Sequence, residues 1–77
     1  MADKKAIADL LRLGHVIREK RLQLELSQED FAERCDLHRT YIGQLERGEK
    51  NLSFSNLLRV SVGLGTRPSE LLRSASL

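Results

Sequence analysis

The sequence predicts an all-α fold of five short helices joined by turns. Apolar residues recur at helical spacing, and two phenylalanines, one tyrosine and no tryptophan give strands little support. Residues typical of helix boundaries divide the chain: Ser27, Gly48, Ser53 and Pro68.

The first helix is predicted over residues 5–24, with an apolar face made of Leu10, Leu13, Ile17 and Leu24. The second begins at the N-cap Ser27, three residues before Asp30, where a capping box places a carboxylate. Its apolar stripe ends at Cys35.

Asp36 and Leu37 leave room only for a tight turn, and aspartate tolerates the left-handed conformation that such a turn requires. A third helix is predicted over about 39–47, with Ile42 and Leu45 buried and Gly48 as its left-handed end.

A fourth helix is predicted from the cap Ser53 to Leu64, and a fifth, short one starts at Pro68. The residues expected to face the core in the fourth helix are Phe54, Leu57, Val60 and Leu64.

Length and composition limit the function classes. A chain of 77 residues forms one domain, residues 1–77, with a core too small to be very stable. A single cysteine excludes an intrachain disulfide. One cysteine and two histidines are fewer than the four ligands of a structural zinc site, so no cofactor is expected. Oligomerisation is then the remaining way to stabilise the domain. Without an apolar span or signal peptide, the protein is expected in the cytoplasm.

Helices two and three, with the tight turn between them, form a helix-turn-helix pattern over about 28–47. A short helix held by Ile42 and Leu45 presents its outer, N-terminal side chains to the major groove of DNA, which is wide enough to admit it. The net charge of +2 is too small to argue for nucleic acid by itself.

Residues 26–34 (LSQEDFAER) and 38–48 (HRTYIGQLERG) resemble the Cro/C1 repressor-type (XRE) helix-turn-helix family. The resemblance covers roughly residues 13–72 and implies a five-helix, lambda-repressor-like DNA-binding domain. Within the family, the Arg-Thr-Tyr-Ile stretch at 39–42 resembles controller proteins of restriction-modification systems.

The resemblance places four residues toward DNA bases: Arg39, Thr40, Gly43 and Gln44. The chemistry agrees, since arginine pairs with guanine O6 and N7, glutamine with adenine N6 and N7, and threonine with either base type. The alternative is a set of solvated polar residues. Gly43 weakens a short helix, which indicates either close approach to DNA or a tolerated surface substitution.

Phosphate contacts are expected where helix ends and loops flank the recognition helix. Helix N-termini favour anions, which supports Gln28 independently of the resemblance. His38 stands at a cap position where Ser or Thr is favoured, and this departure either weakens the cap or moves the imidazole toward a phosphate. The full set is Gln28, His38, Tyr41, Arg47, Lys50, Asn51 and Ser53, with plain solvated charges as the alternative for Arg47 and Lys50.

The resemblance further implies a buried ion pair between Arg21 and Glu46, which would tie the first helix to the third. A dimer interface is expected on helix four, where Leu58 and Val62 project away from the core, with Arg59 and Arg67 at its rim.

The expected function is transcriptional regulation by a homodimer that binds a palindromic operator in double-stranded DNA, with RNA polymerase as a further partner and a restriction-modification operon as the target. The alternative is an antitoxin-type interaction module with DNA-binding autoregulation. An enzyme is not expected, because neither His15 nor Cys35 stands in a catalytic motif.

Overall fold

The computed structural model describes residues 3–77, and within this range it contains five helices and no strand. They are α1 (Lys4–Gln23), α2 (Gln28–Cys35), α3 (Arg39–Glu46), α4 (Phe54–Leu64) and α5 (Pro68–Ser74). The predicted all-α fold and the order of the helices are confirmed.

The helix ends follow the local chemistry that the sequence indicates. The Ser27 hydroxyl accepts a hydrogen bond from the Asp30 N–H at 3.0 Å, and the Ser53 hydroxyl accepts one from the Asn56 N–H at 3.2 Å. Asp36 ends α2 in the left-handed region with φ 57°, and Gly48 follows α3 with φ 72°. The His38 side chain, in contrast, makes no cap hydrogen bond to α3.

One apolar core connects the five helices. Phe31, Ile42 and Leu71 are completely buried and come from α2, α3 and α5. α1 packs on α3 and α5, and α2 packs on both α3 and α4. The other members of the core are Leu13, Ile17, Ala32, Cys35, Leu45, Val60, Leu64 and Ala75.

Two residues expected in the core are exposed. Phe54 is 73% exposed because it begins α4, and Leu52, just before the helix, packs against the core instead. Leu24 is 43% exposed because α1 ends at Gln23 and the chain turns at Glu25, which leaves Leu26 to contact the core.

Gly14 sets the distance between α1 and α3. A Cβ atom at this position would lie 2.3 Å from the Leu45 carbonyl oxygen and 2.8 Å from that of Glu46, both backbone atoms of α3. Backbone of a packed helix cannot move aside cheaply, so only glycine allows this close approach.

The substitution Gly14→Ala is therefore expected to lower the free energy of unfolding by about 1–3 kcal/mol, although alanine favours the helix itself by about 1 kcal/mol. Urea denaturation measures the change. Gly43→Ala is the matched control, because its Cβ meets only the ends of the Arg47 and Gln28 side chains, and it should be neutral or stabilising. A Gly14→Ala protein as stable as the wild type would contradict the packing argument.

Candidate nucleic-acid interface

α2, the turn and α3 form the helix-turn-helix, and the turn is held from two sides. The Leu37 N–H donates to the Ala32 carbonyl at 2.9 Å, which closes the end of α2. From α4, Arg59 Nη1 donates to the Asp36 carbonyl oxygen at 2.9 Å. One backbone hydrogen bond and one side-chain hydrogen bond therefore hold the turn between α2 and α3.

α3 has a buried face and an outward face. Ile42 and Leu45 lie in the core, whereas Arg39 and Thr40 are exposed and Gln44 is half-buried. Residues three to four apart share a face of a helix, so Gln44 lies one turn after Thr40, while Arg39 and Thr40 are in the first turn of α3.

A buried ion pair joins α1 to the end of α3. Arg21 Nε donates to Glu46 Oε2 at 2.7 Å, and Arg21 Nη2 donates to Glu46 Oε1 at 2.9 Å. This two-point contact is the strong, directional form of an arginine–carboxylate pair. The hydrogen bond to Glu46 also raises the pKa of Arg21 above its usual value, so the pair stays charged.

The same pair positions the start of α2. Arg21 Nη1 donates to the Leu26 carbonyl at 2.8 Å, and Gln28 Nε2 donates to Glu46 Oε1 at 3.1 Å. Within residues 3–77, every fully buried side-chain nitrogen and oxygen has a hydrogen-bond partner. One buried network therefore fixes the relative positions of α1, α2 and α3.

A shallow concavity lies between α2 and α3, and its lining residues are Gln28, Arg39, Thr40, Gly43 and Arg47. Gly43 forms its floor and is itself buried, with Arg47 Nη1 3.2 Å from the position of a glycine Cβ. The lack of a side chain at Gly43 leaves room for the ends of the Gln28 and Arg47 side chains. The contact of Gly43 with a base stays a prediction.

Arg47 makes an exposed ion pair with Glu49, a residue that the sequence analysis did not single out. Arg47 Nε donates to Glu49 Oε2 at 2.8 Å, and Nη2 donates to Oε1 at 3.2 Å. The hydrogen bond lowers the pKa of Glu49 and raises that of Arg47. Lys50, next in the chain, is in no ion pair within the described part of the molecule.

The loop after α3 is ordered by Tyr41. Its hydroxyl donates to the Asn51 carbonyl at 3.1 Å and accepts from Asn56 Nδ2 at 3.1 Å. Asn56, which sequence reasoning missed, therefore ties α3 to α4. Lys50, Asn51 and Ser53 are all exposed in the loop between α3 and α4.

α4 carries an apolar stripe on its outer face. Phe54, Leu58 and Val62 are spaced by four residues and are exposed by 73%, 41% and 74%. Phe54 therefore adds a third apolar side chain to the predicted interface residues Leu58 and Val62. Arg59 beside it contacts Asp36, and Arg67 is exposed as the N-cap of α5.

His15 and Cys35 lie apart, on the exposed face of α1 and at the buried end of α2. Burial raises the pKa of the Cys35 thiol to about 11, which keeps it protonated at neutral pH. Residues 3–77 contain no cluster of three or more metal-ligating side chains. None of the helices in this range has the length and apolarity needed to cross a membrane.

Comparison with known proteins identifies the fold. The helix-turn-helix family model matches residues 17–71. The control protein C.BamHI of Bacillus amyloliquefaciens is 46% identical over 63 residues, which cover 80% of this chain and 78% of the relative. The chain belongs to the helix-turn-helix family of control proteins.

A solved structure and a second relative agree with this assignment. The restriction-modification controller protein C.AhdI from Aeromonas hydrophila is 42% identical, with a TM-score of 0.81 over 83% of this chain and 97% of that one. The control protein C.MunI of a Mycoplasma species is 44% identical over 79% of this chain and 84% of its own. The resemblance to controller proteins is confirmed, and this control protein is a DNA-binding regulator of transcription.

Removing one partner of the Arg21–Glu46 pair tests its structural role. Glu46→Ala leaves the buried Arg21 guanidinium uncompensated, and such a loss typically costs about 3–5 kcal/mol. We expect the variant to be largely unfolded at 37 °C, as measured by circular dichroism and urea denaturation, while its folded fraction keeps its DNA preference.

The control is Glu33→Ala, an exposed position on α2 that is in no ion pair within residues 3–77, and it should leave stability nearly unchanged. Full stability of Glu46→Ala would show that the buried pair does not hold the helices together.

Proposed function

We propose that this control protein binds a palindromic operator as a homodimer and regulates transcription of a restriction-modification operon. The observation that carries the proposal is the outward face of α3, where Arg39 and Thr40 are exposed on a helix anchored by the buried Arg21–Glu46 pair. A rigid helix with free polar side chains at its N-terminal half is the element that enters a major groove.

Direct recognition of base edges is assigned to Arg39, Thr40 and Gln44. Arginine donates two parallel hydrogen bonds to guanine, glutamine pairs with both the donor and the acceptor of adenine, and threonine contacts either a base edge or a thymine methyl. None of these three side chains makes a hydrogen bond to another described residue, so they are available to DNA.

Phosphate contacts are assigned to the rim of this surface. The N-terminus of α2 offers backbone N–H groups and the helix dipole beside Gln28. The N-terminus of α3, where the His38 side chain makes no cap hydrogen bond, offers the same groups. Further candidates lie in the loop between α3 and α4, which the Tyr41 hydroxyl contacts at the Asn51 carbonyl. Such contacts set the register of the protein on DNA. The assigned residues are Gln28, His38, Tyr41, Lys50, Asn51 and Ser53. Tyr41 would contact a phosphate by turning its hydroxyl proton away from the Asn51 carbonyl.

The dimer contact is assigned to the stripe on α4. Three apolar side chains in a row on one helix face exceed the isolated exposed leucine that is ordinary for a small protein. A two-fold contact through Leu58 and Val62, with Arg59 and Arg67 at the rim, would also add buried area to a small core. Two recognition helices would then lie about 34 Å apart, one turn of DNA.

The names of the relatives support control of a restriction-modification system as the biological role. Binding at a promoter represses when the protein covers promoter DNA and activates when it contacts RNA polymerase. Both are binding roles without a catalytic step, carried out where bacterial DNA is transcribed, in the cytoplasm.

Arg39→Ala and Lys50→Ala should affect DNA binding in different ways. With a duplex selected by the wild-type protein from a random pool, Arg39→Ala should reduce discrimination at one base pair of each half-site by about 1–3 kcal/mol. Lys50→Ala should weaken binding to selected and unselected DNA alike and reduce the salt slope by about one per contact. Equal losses on both kinds of DNA for Arg39→Ala would remove Arg39 from the base-reading set.

Val62→Glu should separate the dimer. A carboxylate buried in an apolar two-fold contact has no partner, so the dimer dissociation constant should rise by about 100-fold, measured by analytical ultracentrifugation. The control is Leu22→Glu, an apolar position on α1 that is 47% exposed. A Val62→Glu protein that still dimerises like the wild type would exclude the α4 stripe as the interface.

A further inference from the structure

Arg47 lies back along α3 toward the residues assigned to base recognition. Arg39, Gly43 and Arg47 are spaced by four, so they form one stripe on the outward face of the helix. Helical side chains lean toward the N-terminus, and the bare Gly43 leaves space for the guanidinium, whose Nη1 is 3.2 Å from the Cβ position. The charged group therefore lies inside the concavity, one helical turn closer to Arg39.

Glu49 holds this guanidinium from the side. Its backbone is fixed relative to α3, because its N–H donates to the Gln44 carbonyl at 2.9 Å across the left-handed Gly48. Its carboxylate accepts from Arg47 Nε and Nη2, which occupies the side edge of the guanidinium. One Nη1 proton and the second Nη2 proton remain on the end edge, and Nη1 lies beside Gly43 and Gln28.

This arrangement favours a base over a phosphate as the partner of Arg47. The end edge of a guanidinium is the two-donor fork that matches guanine O6 and N7. Phosphate binding depends on net positive charge, and Glu49 offsets part of the charge of Arg47 at close range. A guanine has no net charge, so a neighbouring carboxylate repels it less than it repels a phosphate.

We propose that Arg47 reads a guanine in the major groove and that Glu49 is the positioning residue that aims it. This inference rests on the proposed function and revises the expectation that Arg47 binds a phosphate. The ion pair thus becomes a second element of base recognition beside Arg39, Thr40 and Gln44.

The test uses two substitutions that remove the geometry and keep the positive charge of residue 47. Arg47→Lys keeps the charge but lacks the fork, and Glu49→Gln keeps Arg47 but removes the carboxylate that orients it. Both positions are exposed, so the variants should fold like the wild type. The probes are the duplex that the wild type selects from a random pool, each of its single base-pair replacements, and an unselected duplex of equal length.

Fluorescence anisotropy titrations measure the ratio of affinities for the selected duplex and for each single base-pair replacement. In each variant this ratio should fall about tenfold at the same G·C pair of each half-site. Binding of Arg47→Lys to unselected DNA, and its salt slope, should match those of the wild type. Glu49→Gln should bind unselected DNA as well as the wild type or better. In the Arg47→Lys background, Glu49→Gln should cause no further loss of discrimination, because the two residues act as one unit.

Unchanged discrimination in Arg47→Lys would overturn the inference, as would Glu49→Gln raising affinity for all duplexes while preference stays intact. Additive losses in the double variant would overturn the positioning role of Glu49. Failure of the proposed function itself would give different results. The wild type would then enrich no sequence from the random pool, and Arg39→Ala would change no base preference.

Discussion

The Arg21–Glu46 ion pair is the constraint on which the recognition surface depends. Two hydrogen bonds of 2.7 and 2.9 Å join α1 to the last residue of α3, and further bonds to the Leu26 carbonyl and to Gln28 include the start of α2. A buried pair of this kind adds little net stability compared with apolar packing, but it is costly to disrupt and strongly directional. It therefore fixes where α3 lies, and loss of either partner destabilises the domain.

Steric limits complement this polar network. Gly14 brings α1 against the backbone of α3 at its C-terminal end, beside the ion pair. Gly43, on the opposite face of α3, clears a space that the side chains of Gln28 and Arg47 share. α3 is thus held tightly on its inner face and left open on its outer face, which is the asymmetry that the proposed base recognition requires.

The sequence predicted most of the fold because its signals are local. Ser27, Asp36, Gly48 and Ser53 fix helix ends through their own backbone and side-chain chemistry, and the structure has each of them in that role. Periodicity could not place Phe54 or Leu24, because their burial depends on which of two neighbouring apolar residues the tertiary packing selects.

The candidate site was less predictable from sequence for the same reason. The Arg47–Glu49 pair and the Tyr41–Asn56 contact depend on how a loop folds back, and no spacing rule indicates such contacts. For Gly43 the sequence left open close approach to DNA or a tolerated surface substitution, and it gave no sign that the ends of the Gln28 and Arg47 side chains lie over this residue.

The most direct test of the account is a nuclear magnetic resonance titration of the isotopically labelled protein with the duplex that it selects. If the outward face of α3 enters DNA, the largest shifts in backbone amide resonances should fall on residues 39–44 and on Gln28, and the core amides around Ile17 should change little. Largest shifts on the outer face of α1, with α3 unaffected, would contradict the account.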